Sequence, residues 1–296
     1  MTTGTIGVMD DLAEFEAQRP RLFGIAYRII GEASEAEDVV QDAYLRWRSA
    51  EGVTTPAAWL TTVVTNLCIN RLASARARRE RYIGPWLPEP VATANDPLEL
   101  AERRDTMTMG FLVLLEKLTP PERAVFVLRE AFDYSHRDIG EVLGIDEANA
   151  RQLYHRAQAR VGDARRRFSA SRADGVKLVE RFLAATVEGD VAGLEQILTE
   201  DASVWADGGG KASAARHPIF GRAAAAHYLT GLGKTRRALT ATVAVGEING
   251  DPAILVHESG ELTVVLVPEI HDDRISTIRA VLNPDKLAYV KGQLSA

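Results

Sequence analysis

The sequence predicts two all-α domains followed by an α+β domain, and three observations carry that prediction. Apolar residues recur with helical period over most of residues 12–169, a proline-rich interval at 82–97 divides that stretch, and beyond Arg172 the period shortens to strand-like runs. At 296 residues the chain is long enough for two or three separate cores. The segments expected are a helical domain at 10–81, a linker at 82–97, a second helical domain at 98–170 and an α+β domain at 172–296.

In the first domain, breaks at Gly31 and around Gly52 to Pro56 imply three or four helices. Ser34 and Glu37 have capping-box spacing, and Ala36, Val39, Val40, Ala43, Tyr44 and Trp47 then follow the i, i+3, i+4, i+7 rule. The opposite face of that helix carries Asp38, Gln41, Asp42 and Arg46, within an acidic stretch that also holds Glu32, Glu35 and Glu37. The next helix, from Ala57 to about Arg81, is expected to bury Leu60, Val63, Val64, Leu67 and Leu72. It carries Trp59, Asn66, Asn70 and a cluster of arginines (71, 76, 78, 79 and 81). Pro85, Pro88, Pro90 and Pro97 make 82–97 an extended connection in which Trp86 and Leu87 are apolar groups in need of a partner.

The second helical domain, broken at Thr119-Pro120-Pro121, ends in a helix-turn-helix pattern over 135–168. Ser135 with Asp138 starts one helix, Gly140 permits close approach, Gly144 supplies a left-handed residue, and Asp146 caps the next helix. Ala150, Leu153, Ala157, Val161, Ala164 and Phe168 form its inner face. Asn149, Arg151, Gln152, His155 and Arg156 are left outside. Those outward side chains suit a major groove, where Arg bonds guanine and Asn or Gln bonds adenine, each good pair discriminating by roughly 1–3 kcal/mol. Arg165, Arg166 and Arg167 lie beyond that face and are expected at most to meet phosphate. Past Arg172, two amphipathic helices (174–187 and 191–198) precede the runs LTATVAVGEI, AILVHES and ELTVVLVPEI, which read as strands.

Composition bounds the function. Hydrophobic residues at 46% and charged ones at 26% describe an ordinary globular protein, and no apolar run approaches the roughly 18–20 residues that span a bilayer. The opening MTTGTIGVMDDL has no basic segment followed by an apolar one, so a cytoplasmic location is expected. A net charge of −6 argues against a protein that coats nucleic acid, and the basic groups are local instead. Cys68, the single cysteine, cannot form an internal disulfide and reads as a small core residue. No cofactor or metal is implied.

The order of these motifs resembles the extracytoplasmic-function (ECF) sigma factors of bacterial RNA polymerase. Residues 12–81 are similar to sigma region 2 and residues 98–169 to region 4. The resemblance implies that SEAEDVVQDAYLRW, through Asp38, Gln41 and Asp42, docks on core RNA polymerase. It implies that AWLTTVVTNLCINRLASARARR, through Trp59, Asn66, Asn70 and Arg71, captures the melted minus-ten strand, with the loop 50–56 pocketing a flipped base. The helix-turn-helix would read the minus-thirty-five duplex of promoter DNA.

Residues 172–296 resemble a SnoaL-like cone domain. Trp86-Leu87-Pro88-Glu89-Pro90, Asp207-Gly208-Gly209-Gly210-Lys211 and Asn283-Pro284-Asp285-Lys286-Leu287 look like the signature strings of ECF sigma factors with a fused SnoaL-like extension, which implies control in cis through a contact between that extension and the sigma domains. Asp207, His217, His227, His257 and His271 are the titratable candidates for catalysis in such a cone, but their spacing fixes neither a nucleophile with its base nor a metal set. A non-enzymatic role is therefore expected, with an unknown small-molecule ligand as a possible partner. The alternative for the whole chain is a ligand-responsive repressor. The acidic helix and the Asn- and Arg-bearing helix beside it have no role in such a repressor.

Overall fold

The computed structural model describes residues 3–94, 106–162, 172–235 and 240–295, with the side chains of 3–11, 76–78 and 172–173 excluded. The expected junctions at 97/98 and 170/172, the side chains of Arg76 and Arg78, and Ala164 to Phe168 with its arginines lie outside the described residues. Contacts divide the described chain into two compact units. One holds 3–78, 106 and 114–162, and the other 79–94, 107–113 and the residues from 172 on.

The first unit is all-helical. Helices α1 (Thr3–Ile30), α2 (Ala33–Trp47) and α3 (Pro56–Arg79) are followed in the chain by α4 (Met109–Leu115), most of which belongs to the second unit, and then by α5 (Pro120–Phe132), α6 (His136–Leu143) and α7 (Glu147–Val161). Helix α1 packs on α2 and α5, and α7 packs on α5 and α6. Ala36, Val39, Val40, Ala43 and Trp47 are buried as their spacing predicts, and Tyr44 is half-buried. Glu32 is the N-cap of α2, without a side-chain cap bond, so Ser34 lies inside the helix and does not begin it. Glu37 instead reaches Arg19 on α1 at 3.0 Å. In α3, Leu60, Val64, Cys68, Leu72 and Ala75 are buried, while Val63 and Leu67 are only half-buried because Thr61 and Thr65 share the inner face. Burial pushes the Cys68 thiol up, against the opposing charges of Arg71 and Arg123, so it stays protonated and inert. The break at Thr119-Pro120-Pro121 is the start of α5: Thr119 and Glu122 form a capping box with Pro at the first turn.

Two fully buried arginines tie α1 to α5. Arg28 donates from Nε to Thr106 Oγ1 at 2.9 Å and lies over the Phe132 ring at 5.3 Å. Arg123 donates to the Arg28 carbonyl at 3.1 Å and pairs with Glu116. Burying such charges is costly unless they are paired, and Arg123 meets that demand through Glu116 and the Arg28 carbonyl.

The second unit is α+β, as expected. Helices α8 (Arg172–Glu188), α9 (Val191–Ile197) and α10 (Arg222–Gly233) accompany strands β1 (Leu198–Asp207), β2 (Ile219–Phe220), β3 (Thr242–Ile248), β4 (Asp251–Glu258), β5 (Glu261–His271) and β6 (Arg274–Val281). Helix α11 (Pro284–Ser295) closes the chain. The sheet order is β2-β1-β6-β5-β4-β3, antiparallel except for the parallel β1/β6 pair. The hairpin β3–β4 turns on Asn249-Gly250, whose φ values of 56° and 79° match a two-residue primed turn. Period-two alternation gives the sheet two buried faces. Val204, Ile254 and Ile278 pack with Phe182, Leu194 and Leu229 from α8–α10, whereas Leu255, Val265 and Val281 pack with Leu87, Met109 and Leu287 on the other side. Residues 79–94 therefore do not stand apart as a spacer. They lie on the sheet, because Leu87 and Ala92 find apolar partners there, and burying a side chain the size of Leu87 is worth about 1.5–3 kcal/mol.

Candidate nucleic-acid interface and linker clamp

The helix-turn-helix is built as its residue types dictate. Ser135 Oγ accepts from the Asp138 amide at 3.1 Å, and Asp138 Oδ2 accepts from the Ser135 amide at 3.0 Å. The Ser135 hydroxyl, which donates to Asp138 Oδ2 at 2.7 Å, and the Ser135 amide together hold the Asp138 carboxyl below the usual range. A Cβ on Gly140 would stand 2.7 Å from the Ile145 carbonyl oxygen, so only glycine lets α6 meet the start of α7. Gly144 supplies the left-handed C-cap with φ 66°, and Asp146 Oδ1 accepts from the Asn149 amide at 2.7 Å. Ala150, Ala157 and Val161 face inward, Leu153 is half-buried, and Asn149, Arg151, Gln152, His155 and Arg156 are all exposed along one side. Arg151 is paired with Glu147, one turn back. Arg156 and Arg160 point toward Glu122 of α5 at 3.9 and 2.6 Å. Burial alone would raise the Glu122 carboxyl, but the Thr119 hydrogen bonds and these two guanidiniums hold it below the usual range.

On α2 and α3, Asp38 and Gln41 are exposed, as are Asn66 and Asn70. Arg71 behaves differently from an arginine tracking phosphate. Its guanidinium is anchored on the acidic helix, 2.9 Å from Glu35 and 2.7 Å from Asp42, with Asp38 at 3.8 Å. Burial alone would lower the Arg71 pKa, but its bonds to the Glu35 and Asp42 carboxylates more than offset that and raise it. Asp42 is thereby committed within the unit. Trp59 is paired with Trp47 at a ring separation of 5.9 Å and half-exposed. The Asn66 amide donates to the Thr62 carbonyl at 2.9 Å and to the Val142 carbonyl of α6 at 3.4 Å, which brings this face of α3 against the first helix of the helix-turn-helix.

The three signature strings converge in the second unit. Asp207, fully buried at the end of β1, accepts from the Leu87 amide at 2.8 Å, from Lys286 Nζ at 2.7 Å and, on its other oxygen, from the Tyr82 hydroxyl at 2.5 Å. Lys286 also donates to the Leu87 carbonyl and lies 4.2 Å from the centre of the Trp86 ring, which Arg79 covers at 3.7 Å. Asn283 Nδ2 donates to Tyr82 at 2.7 Å, and Lys211 pairs with Asp285. A Cβ on Gly209, at φ 56°, would stand 2.3 Å from Asn283 Nδ2 and 2.8 Å from the Tyr82 hydroxyl, so a side chain there has no room. Leu87, Pro88, Glu89 and Pro90 are buried, Gly208 is buried, Gly210 is exposed, and Leu287 joins the core. Asn283 Oδ1 accepts from the Asp285 amide at 3.1 Å and Pro284 is the first residue of α11, so the string is a helix start.

Sequence reasoning missed the far end of this clamp. The linker continues into a single antiparallel β-bridge between Ala92 and Ile248: the Thr93 amide donates to the Glu247 carbonyl at 3.2 Å and the Asn249 amide to the Val91 carbonyl at 2.9 Å. Thr93 Oγ1 donates to Glu247 Oε1 at 2.8 Å, and the buried Asn249 side chain holds both Val91 and Met107. The Asn-Gly turn was the readable signal for Asn249; nothing local marks Tyr82 or Glu247. Of the titratable candidates, Asp207 is committed to the clamp, His217 and His227 are exposed, and His271 lies 3.2 Å from Asp272. Among the described residues no group of three His, Cys, Asp or Glu side chains is placed to hold a metal, and no helix is long and apolar enough to cross a membrane.

Residues 15–78 match the family model for sigma-70 region 2, and residues 109–161 that for sigma-70 region 4. The chain is 35% identical over 294 residues to the ECF RNA polymerase sigma factor SigJ of Mycobacterium tuberculosis, covering 93% of each chain. It is 28% identical to the probable ECF RNA polymerase sigma factor SigI of the same species, covering 95% of this chain and 96% of that one. Its fold is similar to the crystal structure of M. tuberculosis SigJ, with a TM-score of 0.76 and 31% identity over 94% of this chain and 98% of that chain.

Proposed function

The chain belongs to the ECF RNA polymerase sigma factors, and from that premise we propose that its C-terminal α+β unit, SnoaL-like by resemblance, sets sigma activity in cis by gripping the interdomain linker. The observation that carries this reading is the buried cluster of Asp207, Lys286, Tyr82 and the Leu87 backbone, because it fixes the segment that leaves α3. In this reading Asp38 and Gln41, with Asp42 once Arg71 releases it, dock on core RNA polymerase. Asn66, Asn70 and Trp59 capture the minus-ten strand, while Asn149, Arg151, Gln152, His155 and Arg156 read the minus-thirty-five duplex. The α+β unit serves as a holder, not as a catalyst: its most buried carboxylate is spent on the linker. Since clamp and linker share one chain, they meet at an effective concentration on the order of millimolar, so a modest contact is enough. The family placement, which includes region 2, leaves the repressor alternative without support.

Run-off transcription with core polymerase tests the proposal. Trp86→Ala, and separately a chain ending before Asn283, should change promoter output several-fold, upward, with the helix-turn-helix still folded. Output indistinguishable from the intact chain in both would end the idea of control in cis. Asp38→Lys should weaken pull-down of core polymerase by like-charge repulsion. Unchanged pull-down would remove α2 from the docking role.

A further inference from the structure

The outward row of α7 contains two arginines held in different ways. Arg151 pairs with Glu147 one turn back on the same helix, and both side chains are half exposed, so solvent screens a contact that restrains little. Arg156 faces a carboxylate from another helix. Glu122, the third residue of α5, has its side chain 3% exposed, and its Oε1 stands 3.9 Å from Arg156 Nε, an ion pair longer than a hydrogen bond. Its Oε2 accepts from the Thr119 amide at 2.9 Å and from Arg160 Nη1 at 2.6 Å. The cap therefore fixes the carboxylate at the start of its own helix, and two guanidiniums of α7 meet it from the other side.

Arg156 and Arg160 lie one turn apart, a spacing at which like charges repel unless an acid stands near both. Glu122 fills that place, and because it is buried its field is screened less than that of Glu147. The geometry also orients. A guanidinium is planar, and the atom of Arg156 nearest Glu122 is Nε, so the terminal Nη1 and Nη2 lie farther out. Those two nitrogens are the donors that suit guanine O6 and N7, and such a contact needs the plane and both donors aligned at once. A long side chain loses rotamer freedom when it is aligned, and a fixed acid behind Nε removes part of that loss before DNA arrives. Arg160, at 2.6 Å, neutralises the carboxylate so that it does not repel phosphate.

We propose that Glu122 is a positioning residue for promoter recognition: it orients Arg156 for a bidentate contact with one guanine of the minus-thirty-five duplex, while Arg160 touches no base. The inference rests on the reading of α7 as the helix that enters that duplex. It places one determinant of sequence preference outside the recognition helix, in the cap of α5, on a side chain too buried to touch DNA itself.

The test assembles the full-length chain with core polymerase and measures binding to a promoter library varied at each upstream position. Arg156→Ala should flatten the preference for guanine at one position by about fivefold or more. Glu122→Gln removes the charge but keeps the cap, since the capping box takes Gln as well as Glu at this place. It should flatten the same position by about threefold or more, leave the others within about twofold, and add nothing there in an Arg156→Ala chain. Glu122→Asp keeps charge and cap, as Asp138 does in α6, but withdraws the carboxylate by one methylene, and should give a smaller loss at that position. Binding to an unrelated duplex should be unchanged or stronger in Glu122→Gln, because the freed guanidiniums can meet phosphate. A preference lost in Arg156→Ala and kept in Glu122→Gln overturns the positioning role. So does an equal loss in Arg160→Gln, or a fall in binding to promoter and unrelated duplex alike, since either shows Glu122 acting only through the fold. No position altered by Arg156→Ala overturns the inference together with base reading by Arg156, and Arg151→Ala and Gln152→Ala in the same library show separately whether α7 reads the duplex at all.

Discussion

The exposed face of α7 and the linker clamp are both polar clusters, yet they are built on opposite terms. On α7 the side chains Asn149, Gln152 and His155 project from a helix whose own stability comes from Ala150, Ala157 and Val161 on the inner side. They are exposed and take no part in the inner face, so each should be removable at little cost to the fold. In the clamp, Asp207 is fully buried and Lys286 is 5% exposed, and they bond to each other and to the linker. A recognition surface keeps its bonding capacity unspent, whereas a holding surface has already spent it.

The largest effect that would test this contrast is at Asp207. Asp207→Ala leaves the Lys286 ammonium buried without its carboxylate and should destabilise the second unit by about 3–5 kcal/mol. It should also raise hydrogen exchange at the Leu87 amide. Thermal unfolding within a degree or two of the native chain would mean that the cluster is not a buried ion pair. Next, Arg151→Ala and Gln152→Ala should cost roughly 1–3 kcal/mol in discrimination at one or two upstream promoter positions, with stability within about 0.5 kcal/mol of the native chain. An unchanged sequence profile across a promoter library would show that this face does not read bases.

A smaller effect belongs to Glu122. Its folded carboxyl titrates below the unfolded one, so its contribution to stability is present above the unfolded pKa and is lost as pH falls through the folded value. Glu122→Gln should therefore flatten the acid side of the stability profile and loosen Arg160; equal slopes for the two proteins would refute the assignment. The smallest effect is at Cys68, whose thiol should stay unmodified by a thiol-specific reagent in the native state and react fully once the helices unfold. Native-state labelling would contradict its place in the core.

The same contrast explains what was legible in the sequence. The helix-turn-helix could be read down to Gly140, Gly144 and Asp146, because its caps and turn are decided by neighbours three or four residues away. β1, β6 and α10 were not read, because β1 lacks strict alternation and finds its parallel partner more than 70 residues further on. The capping pair at Ser34 and Glu37 had the right spacing, but the chain enters α2 earlier and Glu37 is drawn to Arg19. In the site, the strings containing Trp86, Asp207 and Asn283 stood out by resemblance alone. Their mutual contact and the roles of Tyr82 and Asn249 could be seen only in three dimensions, since the partners lie 120 to 201 residues apart.

That separation also gives the clamp a place in time. Lys286 follows Leu87 by 199 residues, so at a synthesis rate of about 5–20 residues per second the linker exists for roughly 10–40 s before the residue that locks it is made. Both helical regions are complete for most of that interval. A chain cut short before Lys286 holds both sigma regions without the lysine that grips the linker. In the proposed control in cis, restraint would therefore be conferred only after both sigma regions have been made.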